Sequence, residues 1–381
     1  MEKTANYSLK DLIVYYLKLG TWGFGGPVAL VGYMYRDLVE NKKWITEDDY
    51  KEGLALSQLA PGPLAAQLAI YIGFVHHRIL GATLAGIAFV LPSFLMVLGI
   101  GYAYVTYGGL PWMQAVFYGV GAAVIGIIAI GSYKLTTKSI GKDKVLWMIF
   151  VTLAIVTFAT EQELLSLILL AGCIMWFVKA PPKWLSSANV ILPTVIAQIP
   201  TITTESKLWQ LAWFFTKAGA FVFGSGLAIV PFLYGGVVGE HHWLNEQQFL
   251  DAVAVAMITP GPVVITVGFI GYLVAGVGGA VVAAAATFIP CYLFTIIPAP
   301  YFKKYGKHPA IKAFVDGVTA AAIGAIAGAV LVLAKRTLTD IPTMVIAVSS
   351  ALVLFKFKKL QEPLVIVVAA VLAIVIKVLL H

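Results

Sequence analysis

Two lysines, Lys18 and Lys217, sit in otherwise apolar stretches, LIVYYLKLGTW and LAWFFTKAGAF, each six residues before a Phe-Gly dipeptide. An ammonium in such surroundings is expensive and by default marks a functional site. Just beyond them lie Phe24-Gly25-Gly26-Pro27 and Phe223-Gly224-Ser225-Gly226, and further on Pro61-Gly62-Pro63 and Pro260-Gly261-Pro262. Glycine loosens the backbone and proline removes a donor, so each of these motifs interrupts a helix. A helix restarting after Gly26, Pro63, Gly226 or Pro262 turns free N–H groups and the positive end of its dipole toward the break, an arrangement that suits an oxyanion. Proline at a helix start sacrifices nothing, because its missing N–H would have been an orphan. Ser57, Ser225 and Thr259 add hydroxyl donors. Gln67 and Thr266, four residues after the second proline of each PGP, face the same side as the helix start. The plainer alternatives are lysines that snorkel to the interface on their four-carbon stems and a Gln67 and Thr266 that hydrogen-bond between helices.

Three acidic residues lie in or beside the same apolar segments. Glu52 and Asp251 occupy equivalent places about two turns before the two PGP breaks, and Asp316 precedes Gly317 in KAFVDGVTAAAIG. Each is a candidate to carry a coupled proton or ion. The competing readings are solvated first turns for Glu52 and Asp251, and pairing of Asp316 with Lys312 near a helix start. His76-His77-Arg78 and His241-His242 have no metal-ligand spacing with any carboxylate or cysteine and are expected to meet lipid headgroups. GFGG follows a helix rather than a strand, and no nucleophile with a base, P-loop or haem site is evident. No enzyme activity, cofactor or metal is expected.

The elements that must position these residues come in two copies. At an offset of 199, Lys18 aligns with Lys217, Gly20 with Gly219, Phe24 with Phe223, Trp44 with Trp243 and the two PGP tripeptides with each other. At 198, Pro92/Pro290, Gly119/Gly317 and Gly126/Gly324 continue the match. Such a period is too long for a solenoid and points to a pseudosymmetric membrane protein. The composition agrees: 60% hydrophobic and 12% charged residues, with a mean hydropathy of +0.91, exclude a soluble domain. Runs such as 80 to 106 and 313 to 334 exceed the roughly 20 apolar residues that span a bilayer. The opening MEKTANYSLKDL lacks the apolar region of a cleaved leader. Cys173 and Cys291 lie in apolar segments and read as small buried hydrophobes. The net charge of +8 is spread over short loops, with no aromatic-interleaved patch for nucleic acid.

The pattern predicts helical pieces near 8 to 21, 27 to 40, 46 to 58, 63 to 78, 80 to 106, 112 to 134, 144 to 160 and 163 to 179, with counterparts in the second half. The first four are too short to cross alone. Their breaks belong inside the bundle, because irregular backbone at membrane depth needs protein or water around it. Trp22, Trp44, Trp213 and Trp243 are candidate interface markers. The basic loops at 134 to 144 and 179 to 183 read as cytoplasmic, and the loop at 105 to 111 is uncharged. In the second half the bias reverses, with basic residues at 301 to 312 and 356 to 359. That reversal predicts an inverted-topology repeat. The expected organisation is therefore a transporter repeat at 1–183, a linker at 184–206 that crosses if the count requires it, and a second repeat at 207–381, all-α throughout.

FGGP, WIT at 44 to 46 and PGP, followed in the same order by FGSG, WLN at 243 to 245 and PGP, resemble the chromate ion transporter family in its two-domain form. The likeness runs from about residue 8 to 380. It implies a multi-pass secondary transporter of the plasma (inner) membrane that moves chromate and the isosteric sulfate, with efflux as the expected direction. The second copy departs from the first in having no proline in FGSG. A sulfate or other divalent-oxyanion permease or channel, and a cation exchanger using Glu52, Asp251 and Asp316, are the competing classes. The expected partners are a small oxyanion, the lipid bilayer and, as an open question, a second copy of the chain.

Overall fold

The computed structural model describes residues 7–24, 26–107, 111–160, 165–181, 206–221, 229–302, 308–357, 360 and 362–380. Among these there is no strand. The first helix, α1 (Leu9–Trp22), starts at a capping box: the Ser8 hydroxyl oxygen accepts from Asp11 N–H (3.2 Å), and the Asp11 carboxylate accepts from Ser8 N–H (3.0 Å). It stops at Gly23. Next, α2 (Gly26–Met34) runs into a π-helical turn, Tyr35–Asn41. The chain folds back as it does so. Tyr7 stacks on Trp44 at 4.8 Å, and the Tyr15 hydroxyl donates to Asp37 at 3.5 Å, which places both ends of this pair together and Gly23 at its tip.

A second hairpin follows. Thr46 caps α3 (Glu47–Leu59), the chain turns through Ala60 to Pro63, and α4 (Leu64–Tyr107) begins. A Cβ on Gly53 would strike the Tyr71 ring, so α3 and the first part of α4 lie side by side. The long α4 is two helices joined at Arg78, whose φ of 53° and ψ of −143° are non-helical. Its later part carries Pro92. Then come α5 (Pro111–Ser139), α6 (Lys144–Thr160) and α7 (Leu165–Lys179). Lys179 forms an ion pair with Asp143, which holds that loop carboxyl below its usual range.

The second half repeats these backbone events in order: α8 (Lys207–Phe221), α9 (Ile229–Tyr234) with a π-helical turn Gly235–Glu240, α10 (Glu246–Ile258) and α11 (Thr266–Ile296). Positive φ recurs at equivalent positions: Lys43 and His242 (53° and 50°), Gly62 and Gly261 (142° and 96°), Arg78 and Gly276 (53° and 60°). A left-handed residue outside glycine is uncommon, so this shared set describes one path drawn twice. The last helices are α12 (Pro309–Thr337), α13 (Ile341–Lys356) and α14 (Glu362–Leu380).

The halves exchange these last helices. α5 packs against α13 and α14, and α12 packs against α6 and α7. Gly119 abuts the Ala369 carbonyl while its counterpart Gly317 abuts that of Ala171, so each glycine admits a backbone from the other half. The largest apolar cluster accordingly joins Val124 and Ile127 of α5 to Phe215, Phe249 and Phe269 of the second half. Among the described residues, four helices, Leu64–Tyr107, Gln114–Lys134, Val263–Ile296 and Pro309–Lys335, are long and apolar enough to cross a membrane; α6, α7, α13 and α14 are shorter apolar helices.

Candidate functional site

Two of the hairpin tips meet across the halves. Gly261 N–H donates to the Gly23 carbonyl at 3.0 Å, joining the PGP turn of the second half to the end of α1 in the first. Each PGP turn also rests on the opposite half. A Cβ on Gly261 would lie 2.8 Å from Ser93 Oγ, and one on Gly62 would lie 3.0 Å from the sulfur of Cys291, the counterpart of Ser93. Any side chain at either glycine is strained by the positive φ and obstructed as well. Pro61, Pro63, Pro260 and Pro262 flank these turns. Gln67 is fully buried; its Nε2 donates to the Pro61 carbonyl at 2.8 Å, while its Oε1 has no partner. The hydroxyls expected as donors are engaged in their own helices: Ser57 with Gly53 O, Thr259 with Val255 O and Ala256 O, Thr266 with Val263 O. Gly25, Phe223, Gly224, Ser225 and Gly226 lie outside the described residues. Phe24 and Gly26 stand at the first tip, Gly26 with a φ of 73°.

The two lysines have different surroundings. Lys18 is exposed along a groove of about 720 Å³ between α1 and the first π-helical turn, which also presents Lys10, Arg36 and Lys42 and ends at Trp22 and Gly23. Arg36 is bonded to Asp37 at 3.1 Å and Lys42 lies over the Trp44 ring at 4.6 Å. Lys10 and Lys18 make no hydrogen bond or ion pair among the described residues. Lys217 is half-buried, 5.8 Å from the Trp213 ring.

The acids also separate. Asp251 is 2% exposed and accepts from Tyr104 Oη and Gln247 Nε2, both at 2.8 Å. Glu52 is bonded to Tyr71. Asp316 is instead within electrostatic reach of Lys312, Lys179 and Asp143, a cluster at the far ends of α12 and α7. His76, expected at headgroups, shares a 2.9 Å hydrogen bond with Tyr7, which anchors the start of the chain to the base of the second hairpin. One acid escaped sequence reasoning. Glu362, at the start of α14, brings its Oε2 to 3.7 Å from where a Cβ of Gly26 would stand. The signal was there: Gln162-Glu163 and Gln361-Glu362 recur at the same offset as the lysines.

Residues 10–176 and 209–374 each match the chromate transporter family, in two copies that begin at equivalent places. The chain belongs to that family. As a chromate transporter family member it is 68% identical over 98% of its length to a chromate transport protein of Cupriavidus metallidurans, and covers 95% of that protein. It is 62% identical over 97% of its length to a probable chromate transport protein of Synechococcus elongatus, covering 96% of it. A chromate transport protein of Pseudomonas aeruginosa is 29% identical over 96% of this chain and 92% of its own length. No solved structure matches. The family is one of transporters, and its membership together with the apolar helices makes this chain a multi-pass membrane protein.

Proposed function

We propose that the protein is a secondary transporter that moves chromate, with sulfate as a second tetrahedral dianion, across the cytoplasmic membrane. The reading rests on one observation above the rest: the contact of Gly261 with Gly23, which gathers hairpin tips of both halves into one place. A dianion that sheds water needs several fixed donors in a small volume, and helix N-termini at α4 and at the turn before α11 supply them. Pro63 and Pro262 start those helices, and the φ of Gly62 and Gly261 lets an anion approach bare backbone. The α2 terminus is contested by Glu362. A unit charge about 4 Å away at an effective dielectric near 20 contributes about 4 kcal/mol of repulsion, so an oxyanion there requires Glu362 to be neutral or displaced.

The halves are read as inverted. Thr83 of α4 bonds Tyr292 of α11 at 2.7 Å, and one groove is lined by Thr83 to Phe94 and by Val281 to Tyr292. Val281 and Tyr292 are the counterparts of Thr83 and Phe94, so equivalent helices pass each other head to tail. A two-fold axis perpendicular to the helices produces that pairing, and in a bilayer such an axis lies in the membrane plane. The later part of α4 with α5, α6 and α7 makes an even number of crossings, whereas inversion requires an odd number between the copies; the linker expected at 184–206 lies almost wholly outside the described residues. In this arrangement the groove beside Lys18 is the route from one face to the tips, and Lys18 offsets part of the dianion's charge.

Chromate counterflow in proteoliposomes tests the function: internal unlabelled chromate should drive uptake of radiolabelled chromate, and sulfate should compete. Cysteines replacing Lys142 and Thr339, in a background without Cys173 and Cys291, should label from opposite sides. Labelling from one side rejects the inversion, and absence of counterflow rejects the transport reading.

A further inference from the structure

Asp251 is the most enclosed carboxylate among the described residues, and no cation accompanies it. It sits on α10, two turns before the second PGP tip, and is held by one neutral donor on its own helix, Gln247, and one from the other half, Tyr104 on the later part of α4. Charged side chains on the elements packed around α10, such as Lys134 on α5, Glu362 on α14 and Glu240 in the π-helical turn, make no contact with it; Tyr104 is the titratable side chain that meets it. A buried ion with neutral partners only gives up no ion pair when it takes a proton, unlike the paired Asp143.

The first half contains the same pairing with its tyrosine moved. Glu52, the counterpart of Asp251, is bonded by Tyr71 on the first part of α4, within its own half. At the position equivalent to Tyr71 the second half has Phe269, and Tyr104 packs edge-on to that ring at 5.4 Å. At the position equivalent to Tyr104 the second half has Phe302, which packs against the apolar cluster that holds Tyr71. Each acid therefore accepts from one tyrosine, with the hydroxyl coming from inside the half in one copy and from across in the other. A hydroxyl that reaches across is made or lost when the halves move relative to each other. One that stays within a hairpin is not.

We propose that Asp251 is a proton-binding site whose occupancy is coupled to movement between the two halves, with Tyr104 as the positioning residue that senses that movement. The proton is delivered by hydronium from the aqueous phase: its O–H bond breaks, an O–H bond forms on the carboxylate, and a water molecule is released. While Tyr104 donates to it, the carboxylate is favoured as the ion. When the halves shift and the hydroxyl withdraws, the carboxylate takes up a proton. Glu52 keeps its tyrosine throughout and serves as the fixed copy. What the proton is coupled to rests on the oxyanion reading above; the site itself does not.

The test uses purified full-length protein in two measurements. In pH-induced infrared difference spectra, the parent should show a protonated-carboxyl band that is absent in Asp251→Asn and present in Glu52→Gln. In proteoliposomes, Asp251→Asn should lose chromate flux driven by a pH gradient and keep chromate counterflow, which needs no net proton movement. Tyr104→Phe should shift the pH profile of the band to the alkaline side by on the order of one unit. Tyr104→Phe combined with Phe269→Tyr, which rebuilds the first-half arrangement, should restore the band's pH midpoint and leave gradient-driven flux uncoupled. An unchanged band in Asp251→Asn, or an unshifted profile in Tyr104→Phe, overturns the site. Should Asp251→Asn lose counterflow as well, the band decides. Loss of counterflow in the parent refutes the transport reading and leaves the proton site standing.

Discussion

The groove beside α1 and the equivalent place beside α8 follow the same backbone and have opposite contents. In the first half, Lys10, Lys18, Arg36 and Lys42 line an open groove together with Asp11 and Asp37. In the second, the positions equivalent to Lys10, Arg36 and Asp37 are Trp209, Gly235 and Gly236, and His241 replaces Lys42. There Phe214 stacks on Phe232 at 5.3 Å and meets His241 and Trp243 edge-on, while His241 and Trp243 stack at 4.3 Å. A Cβ on Gly236 would enter the Phe214 ring, so even the glycine there admits the plug. Each such aromatic pair adds about 0.5 to 1.5 kcal/mol beyond buried area. Over the described residues the repeated backbone thus borders an open, charged groove in the first half and packed aromatic rings in the second. Backbone symmetry does not carry over to access.

That contrast should vanish at the tips, where the halves agree. Gly62→Val and Gly261→Val should each reduce chromate counterflow by more than about a hundredfold, equivalent to about 2.7 kcal/mol, with the protein still inserted and monodisperse in detergent. A large loss in one and none in the other would mean that the tips, too, have diverged. The lysines come next and should divide. Lys18→Met should weaken chromate binding by more than about tenfold, or about 1.4 kcal/mol, whereas Lys217→Met, whose ammonium lies by Trp213, should change it by less than about threefold. Equal losses would make the sealed groove part of the route. Arg36→Ala should do least: its pair with Asp37 is solvent-exposed and screened, so the melting temperature should stay at the parent's value.

The duplication, the helical pieces and the turn motifs were legible in the sequence because glycine, proline and apolar runs act locally. The Lys18/Lys217 match was legible too, but their difference was not, since it depends on neighbours: Tyr33 and Arg36 share a groove with Lys18, while Lys217 lies by the Trp213 ring. Which way a hairpin folds cannot be read from a break alone; the Tyr7–Trp44 stack decides it for the first and the Gly53–Tyr71 contact for the second. Tyr104 escaped notice as a partner of Asp251 because the two are 147 residues apart and in different halves. Thr259 and Thr266 looked available because a sequence does not show which hydroxyls turn back onto their own helix.

The exchange of terminal helices bears on how the chain is made. α5 is synthesised long before α13 and α14, yet its Gly119 and Gly126 faces are built to receive them. Until those later helices are made, that face lacks its partners, and α6 and α7 likewise wait for α12. Domains ordinarily finish in order from the amino terminus. Here neither half can finish first. The two halves complete each other's packing, and a polypeptide severed at the connection between them should need both fragments in the same membrane to fold.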